Sequence, residues 1–339
     1  MTETSPAIPD IFLALRTDMV NGKTESRLTR LKLNDLSPGD IVIRTHYAGV
    51  NYKDCLAATG QAKIITTFPR TAGIELVGYV VQSSNSHLPV GQSILIHGFE
   101  TGITFDGGFS SYVRTSAERV MALPEGLTAF ETATLGVPGF TVGMCLDRFE
   151  QLGLTPDKGV VAVTGANGAV GVLAIAILAQ AGYRVAAVTR RVEKTRALLA
   201  LGASEVIDAR ILDTPARALE KPRFAAAIDN VGGTMLAWLL RSMADSSLVA
   251  SVGNASSNEF KGSVLPFIVR RVQMFGIVSN ADWATRHRVW ACLSDKWKPN
   301  FALLAPHVHR IQLDTLPAHI QTQLDGNTYG RTLVDFGAC

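Results

Sequence analysis

The run VVAVTGANGAVG, residues 160–171, constrains this chain more than any other stretch. β-branched and apolar residues lead into a glycine-spaced turn, and the turn into an apolar segment, Ala169 to Ala179. A strand that feeds a helix through so tight a turn is the first half of a βαβ unit. Gly168 lets the backbone approach a bound group, and Gly171 lets the helix pack on its strand. The first turn of the helix also offers unpaired N–H groups and a partial positive charge, which suit a pyrophosphate. The spacing is Ala-x-Gly-x-x-Gly, because Ala166 stands where the strict dinucleotide fingerprint has its first glycine. Thr164, Asn167, Gly168, Ala169 and Val170 are therefore candidate cofactor contacts, with Asn167 as a side-chain donor. The competing reading is a glycine-rich turn that holds no ligand.

The second strand of the unit, RVAAVT (184–189), bears on which nucleotide. It ends Thr189-Arg190-Arg191. An NAD site usually carries a carboxylate here for the ribose hydroxyls. A hydroxyl and two guanidiniums instead attract a 2′-phosphate through charge-assisted bonds. NADPH is the expected cofactor, with Thr189, Arg190 and Arg191 as its contacts. The bland alternative is a solvated loop. Glu193 should fall in the following helix.

Around this unit the texture divides in two. Residues 1 to about 130 carry short strand-like runs at 40–50, 78–83, 92–98 and 109–116, separated by turns such as Ser37-Pro38-Gly39. From 131 onward strands and helices alternate: helix 131–151, strand 159–164, helix 169–181, strand 184–189, helix 192–201. Further strands are expected at 205–208, 225–229, 247–253 and 272–278, and helix at 281–300. Such alternation predicts a doubly wound parallel sheet. The tail, 326–336, reads as a strand that rejoins the first part. The fold class is α/β, a β-rich domain (1–130, completed by about 302–339) and a Rossmann domain (131–301). A chain of 339 residues suits two domains.

Bulk properties exclude several functions. Lys and Arg number 32 against 29 Asp and Glu, a net charge of +3, which leaves no electrostatic footprint for nucleic acid. The polar N-terminus lacks a signal-peptide core, and the longest apolar run is too short to span a bilayer. A cytoplasmic protein is expected. Cysteines 55, 145, 292 and 339 show no zinc-type spacing and read as reduced thiols. His307-x-His309 is too isolated to argue a metal site.

GVNYKD (49–54), GIELVGYV (73–80) and VTGANGAVG together resemble the medium-chain dehydrogenase/reductase superfamily. The likeness covers nearly the whole chain. Within it, NYKDCLAATGQAKI, FPRTAGIELVG, GVPGFTVGMC, AAIDNVGG and GRTLV look most like the acrylyl-CoA reductase and YhdH/YhfP-type quinone-oxidoreductase-like branch. The resemblance implies a GroES-like catalytic domain interrupted by the Rossmann domain. Zinc alcohol dehydrogenases of the superfamily carry Cys where Asn51 stands and His where Ile74 stands. Catalytic zinc needs three donor ligands, and Ile74 supplies none. No metal is expected, and reduction of a carbon–carbon double bond conjugated to a carbonyl is favoured over alcohol oxidation.

The resemblance also implies roles. The tyrosine of NYKD lies near the cofactor in such proteins, so Tyr52 is a candidate for contact with the nicotinamide ribose or for donation toward the enolate; the alternative is a packing aromatic. Asn51 is either a catalytic amide donor or the cap of the helix beginning near Lys53. Lys53 and Asp54 read as a local ion pair. Thr141 and Asn254 are cofactor contacts by family position. Arg331 meets a cofactor or acyl-CoA phosphate, or closes the C-terminal strand by a salt bridge. Asp229 and Asn230 end a strand where a loop would approach the nicotinamide; the alternative for their side chains is a plain strand-end turn. Lys63, Arg70, Arg270, Arg271, Arg286 and Arg288 are the basic residues available for a CoA 3′-phosphate. The implied reaction is NADPH-dependent reduction of acrylyl-CoA to propanoyl-CoA. NADPH:quinone oxidoreduction and a non-catalytic NADPH-binding protein are the alternatives. VQMFGIV (272–278) resembles the strand by which relatives join two sheets edge to edge, which implies a homodimer.

Overall fold

A computed structural model describes residues 8–213 and 217–337. The chain falls into two units, one up to Val137 and again from Val308, the other Pro138–His307. The divisions read from the sequence, after residues 130 and 301, lie inside helices. The first seven residues, which carry most of the polar N-terminus, and Cys339 lie outside the described residues; Cys55, Cys145 and Cys292 are free thiols.

The first unit opens with β1 (Phe12–Val20) and β2 (Lys23–Leu31), an antiparallel hairpin. Asn21 and Gly22 link them with φ of 50° and 76°. A two-residue turn with both φ positive matches the twist of its strands, and Asn-Gly adopts it at little strain. β3 (Ile41–Val50), α1 (Tyr52–Thr59), β4 (Arg70–Thr71), β5 (Glu75–Ser83), β6 (Ser93–His97), β7 (Tyr112–Thr115) and β8 (Met121–Ala122) follow. Helix α2 (Ala129–Gln151) is broken at Gly136, where φ 45° and ψ −148° leave helical space just before Pro138.

The second unit continues with β9 (Val160–Thr164), α3 (Ala169–Gln180), β10 (Arg184–Thr189), α4 (Thr195–Leu201), β11 (Glu205–Asp208), β12 (Phe224–Asp229), α5 (Gly233–Ser242), β13 (Met243–Ser251), α6 (Leu265–Arg270), β14 (Gln273–Gly276), α7 (Trp283–Ser294) and α8 (Phe301–Leu304). The chain then returns to the first unit as β15 (Val308–Ile311), α9 (Leu316–Leu324) and β16 (Arg331–Asp335).

In the first unit the strands order β15-β16-β3-β5-β6-β8, with β7 also on β3, beside a smaller sheet β2-β1-β4. The expected return of the tail is present: β16 pairs antiparallel with β3, Thr332 opposite Val50. Val334, Leu316 and Ile320 of the returning chain pack with Leu15, Val50 and Phe109 in one buried cluster.

In the second unit the order is β11-β10-β9-β12-β13-β14, every pair parallel. β9 and β10 are covered on both faces, so their near-continuous apolar sequences fit parallel strands. Helix α3 is buried from Gly171 to Leu178 on all sides, which explains its lack of a polar face. The chain winds outward from β9 to β11, then crosses back to β12. The crevice at the carboxyl ends of β9 and β12 is thus a topological switch point, where doubly wound sheets bind ligands. Several expected elements differ in detail: α4 begins at Thr195 after a short 3-10 turn rather than at 192, β5 begins at Glu75 rather than 78, and β16 covers only Arg331–Asp335 of the 326–336 run. The helix expected at 281–300 is two, α7 and α8; β13 begins at Met243 rather than 247; β14 covers only Gln273–Gly276 of the 272–278 run. No helix among the described residues is long and apolar enough to cross a membrane.

Candidate active site

In the second unit the glycine turn is built as a cradle. Gly165 bends the chain with φ 61°, and Gly168 donates its N–H to the Gly165 carbonyl at 2.9 Å. Gly168 is then the N-cap of α3, with no side chain closing the helix end. The first-turn N–H groups that follow it have no intrahelical carbonyl to bind. The two later glycines serve different ends. A Cβ on Gly171 would lie 2.4 Å from the Gly165 carbonyl oxygen and 2.7 Å from Ala166 backbone atoms, so the fold itself needs glycine there. A Cβ on exposed Gly168 would meet no protein atom nearer than 3.4 Å. It would project instead where a group bound to the helix end must sit. This cradle fits a pyrophosphate.

Thr164, expected as a cofactor contact, has its side chain otherwise engaged. It is buried, its hydroxyl donates to Asp229 Oδ1 at 2.6 Å and accepts from the Asn230 N–H at 2.9 Å. Asn230 Nδ2 donates to the Thr164 carbonyl at 2.7 Å. These bonds tie the ends of β9 and β12 on either side of the switch point. Burial raises the Asp229 carboxyl above its usual range, against the opposing bonds from Thr164 and the Gly232 and Val231 amides.

Asn167, in the turn, reaches the end of β10 and donates from Nδ2 to Thr189 Oγ1. The Arg191 N–H donates to the same oxygen at 2.9 Å. Arg190 is exposed and Arg191 half-buried, one residue and two beyond Thr189. The structure thus brings Asn167, Gly168, Ala169 and Val170 to one helix end and links them to Thr189-Arg190-Arg191. Thr141 is buried within α2, and Asn254 is exposed, its amide bonded to Asn258.

In the first unit, Asn51 is the N-cap residue of α1, which begins at Tyr52 rather than Lys53. Its backbone N–H donates to Asp54 Oδ2 at 3.0 Å. Its amide is fully engaged: Nδ2 donates to Glu75 Oε1 at 2.7 Å and Asp54 Oδ2 at 3.1 Å, while Oδ1 accepts from Arg331 Nη1 at 3.3 Å. Of the two roles expected for Asn51, the structure shows the structural one, because an amide with both hydrogens bound has none left for an oxyanion. Tyr52 beside it is 43% exposed, not a packed aromatic.

Asp54 does not pair with exposed Lys53. It turns inward, is 1% exposed, and takes a further bond from the Ile74 N–H at 2.9 Å. Burial pushes its carboxyl up to about 7, with the bonds from Ile74 and Asn51 pulling the other way and the Glu75 charge adding to the rise. Arg331 is likewise sealed, bonded to Glu75 Oε1 at 2.8 Å and to the Ala133 carbonyl at 3.0 Å. It is therefore the salt bridge of the two roles expected, and being buried it does not reach a phosphate. Glu75 is not among the residues singled out above. Its signal was present: a carboxylate inside the apolar run GIELVGYV must find a buried partner.

Around Asn51 and Ile74 the donor set does not fit zinc. The Asn51 nitrogen is a bound donor, and Ile74 is buried and has no heteroatom. Among the described residues no three His, Cys, Asp or Glu side chains are grouped to hold a metal. The basic residues expected near a CoA phosphate are mostly engaged within their own units. Arg70 bonds Ser37, Arg271 pairs with Asp245, and Arg288 pairs with Asp147. Arg270 donates to the carbonyls of Arg241, Met243 and Glu220. Arg286 is buried and donates to the Ala281 carbonyl.

The alcohol dehydrogenase GroES-like domain family matches residues 37–125, and the zinc-binding dehydrogenase family matches 169–295. The acrylyl-CoA reductase AcuI of Ruegeria pomeroyi is 35% identical, over 96% of this chain and 99% of that protein. The putative quinone oxidoreductase YhfP of Bacillus subtilis is 34% identical, over 96% of this chain and 98% of that one. The yhdH oxidoreductase of Salmonella enterica, solved in complex with NADP, superposes with a TM-score of 0.90 at 34% identity, covering 96% of this chain and 100% of that chain. On this full-length likeness the chain belongs to the acrylyl-CoA reductase and YhdH/YhfP-like family of the medium-chain dehydrogenase/reductase superfamily.

Proposed function

We propose that this protein is an NADPH-dependent reductase of the carbon–carbon double bond of acrylyl-CoA, forming propanoyl-CoA. The observation that carries the reading is the full-length likeness to the Ruegeria acrylyl-CoA reductase. The donor set supports it, since Ile74 and the bound Asn51 amide give no Lewis-acid site for alcohol chemistry, whereas a thioester carbonyl withdraws charge by itself.

Bound NADPH supplies the hydride. The first-turn N–H groups at Ala169 and Val170 hold its pyrophosphate, and Thr189, Arg190 and Arg191 hold the 2′-phosphate. Tyr52, exposed at the start of α1, donates toward the nicotinamide ribose or the thioester oxygen as charge develops there. Asn51 with the buried Asp54, Glu75 and Arg331 fixes the helix start that carries Tyr52. A second copy pairs along β14, an edge strand that carries exposed Met274 and is preceded and followed in the chain by exposed Ile268, Val269 and Val278.

The test is NADPH oxidation against acrylyl-CoA, crotonyl-CoA and small quinones. Acrylyl-CoA should be reduced fastest, crotonyl-CoA slowly because its methyl group obstructs the β-carbon. Deuterium from 4-labelled NADPH should appear at C3 of propanoyl-CoA and the solvent proton at C2. Rapid quinone reduction with no turnover of acrylyl-CoA would instead establish the second reading, which the likeness to YhfP favours.

A further inference from the structure

The Thr189 hydroxyl is held between two donors. A hydroxyl has one proton to give and two lone pairs to accept with. Here one lone pair takes the Asn167 Nδ2–H and the other takes the Arg191 N–H. The Arg191 bond is a backbone contact of the strand end and does not depend on any side chain but Thr189. The Asn167 bond crosses from the turn after β9 to the end of β10. With both lone pairs filled, the Thr189 proton is free to point in one sense only, toward an acceptor outside this trio.

We propose that Asn167 is a specificity-determining residue: it turns the Thr189 hydroxyl into an obligate donor for the 2′-phosphate, and so favours NADPH over NADH. The proposal rests on the NADPH reading above. A phosphate dianion accepts and never donates, whereas a ribose 2′-hydroxyl does both. A fixed donor therefore complements the phosphate fully and the hydroxyl partly. The bond to a phosphate is charge-assisted, which makes it the stronger of the two. Asn167 thus acts through Thr189, as a positioning residue, and links the turn that holds the pyrophosphate to the strand end that holds the 2′-phosphate.

Binding of two fragments without nicotinamide, 2′,5′-ADP and 5′-AMP, measured by isothermal titration on the full chain, tests this. Asn167 is not among the left-handed residues, so Asn167→Ala suits the backbone. It should weaken 2′,5′-ADP by roughly 3- to 10-fold, the size of one neutral hydrogen bond, and leave 5′-AMP nearly unchanged. Thr189→Val should weaken 2′,5′-ADP by about 10-fold or more. The double variant should bind like Thr189→Val alone, because the amide then has nothing to orient. Equal losses for both fragments would mean Asn167 contacts the shared 5′-phosphate and would overturn the proposal. So would an Asn167→Ala effect that persists without the Thr189 hydroxyl, or a gain in 2′,5′-ADP affinity. If the unaltered protein binds 2′,5′-ADP no tighter than 5′-AMP, the NADPH reading itself fails and this inference falls with it. Thermal melting of each variant separates a folding defect from a binding one.

Discussion

Arg331 and Glu75 form an ion pair sealed from solvent, with Nη2 2.8 Å from Oε1 and side chains 0% and 2% exposed. The pair joins β16, which enters the first unit after the whole second unit has been made, to β5. Two glycines make room for it. A Cβ on Gly49 would lie 1.9 Å from Arg331 Nη2, and one on Gly136 would lie 2.0 Å from Glu75 Oε2. The break in α2 at Gly136 thereby exposes the Val137 N–H, which donates to Glu75 at 2.7 Å.

Removing one partner of this pair should destabilise the first unit strongly. A buried ion pair broken on one side leaves an uncompensated charge, at about 3–5 kcal/mol. Arg331→Met should show that loss, and joining it to Glu75→Gln should recover part of it. The four tryptophans, at 238, 283, 290 and 297, all lie in the second unit, so their fluorescence follows the wrong domain. Calorimetry is the suitable measurement, and an unshifted first-unit transition would refute the claim.

Asp54 should make stability fall as pH rises across the acid range. An unfolded aspartate ionises near 4, whereas burial holds the folded group up to about 7. Between those values the folded state binds more protons than the unfolded one, so stability declines with pH and levels off above about 7. Asp54→Asn has no such proton to lose. The stability of the variant relative to the parent should therefore improve from pH 4 to 7, measured by denaturant titration at each pH. A flat difference would show the Asp54 carboxylate is ionised throughout, held by its three N–H donors.

The two cradle glycines should separate folding from binding. Gly171→Ala drives a Cβ into the Gly165 carbonyl and the Ala166 backbone, neither of which can swing aside, and should destabilise by about 1–3 kcal/mol. Gly168→Ala meets no protein atom closer than 3.4 Å and should leave the melting temperature nearly unchanged while weakening NADPH binding. Titration of NADPH fluorescence beside thermal melting reads both.

Much of the second unit was legible because its signals are local. Apolar strands, glycine turn and apolar helix lie in one continuous run, and the Thr189-Arg190-Arg191 ending follows it directly. The first hairpin carries an equally local signal, Asn21-Gly22 between two strands. The buried network was not legible as a network. Asn51, Asp54, Glu75 and Arg331 are brought together by pairing of β3 with β5 and β16, across 280 positions of sequence between Asn51 and Arg331. Residue type alone could not tell an Arg331 that meets a phosphate from one that meets Glu75. Likewise, Arg270 and Arg286 look like surface cations in sequence, and only their placement shows them holding backbone carbonyls.

Chelation should leave turnover intact. The position of one zinc ligand in the alcohol dehydrogenases is Ile74, without a donor atom, and that of another is Asn51, whose amide nitrogen is bound by Glu75 and Asp54. Prolonged dialysis against a chelator should change NADPH-dependent activity little, and elemental analysis should find less than stoichiometric zinc. Activity lost on chelation and restored by zinc would contradict this.

Arg190 and Arg191 should decide between the two nicotinamide cofactors. They follow Thr189 at the end of β10, with Arg190 exposed and Arg191 half-buried, and the carboxylate opposite Thr189, Asp208 on β11, is paired with Arg210. A hydrogen bond to a charged group contributes about 1.5–3 kcal/mol, roughly 10- to 150-fold in affinity for each arginine. Arg190→Ala with Arg191→Ala should raise the NADPH Michaelis constant steeply and the NADH constant little. The NADPH loss should also shrink as ionic strength rises, because added salt screens the same attraction in the parent. The Arg191 N–H that binds Thr189 belongs to the backbone and survives the substitution, and Asn167 is untouched, so the Thr189 hydroxyl keeps both of its donors. Equal losses for NADPH and NADH would place the arginines on a group common to both cofactors, not on the 2′-phosphate.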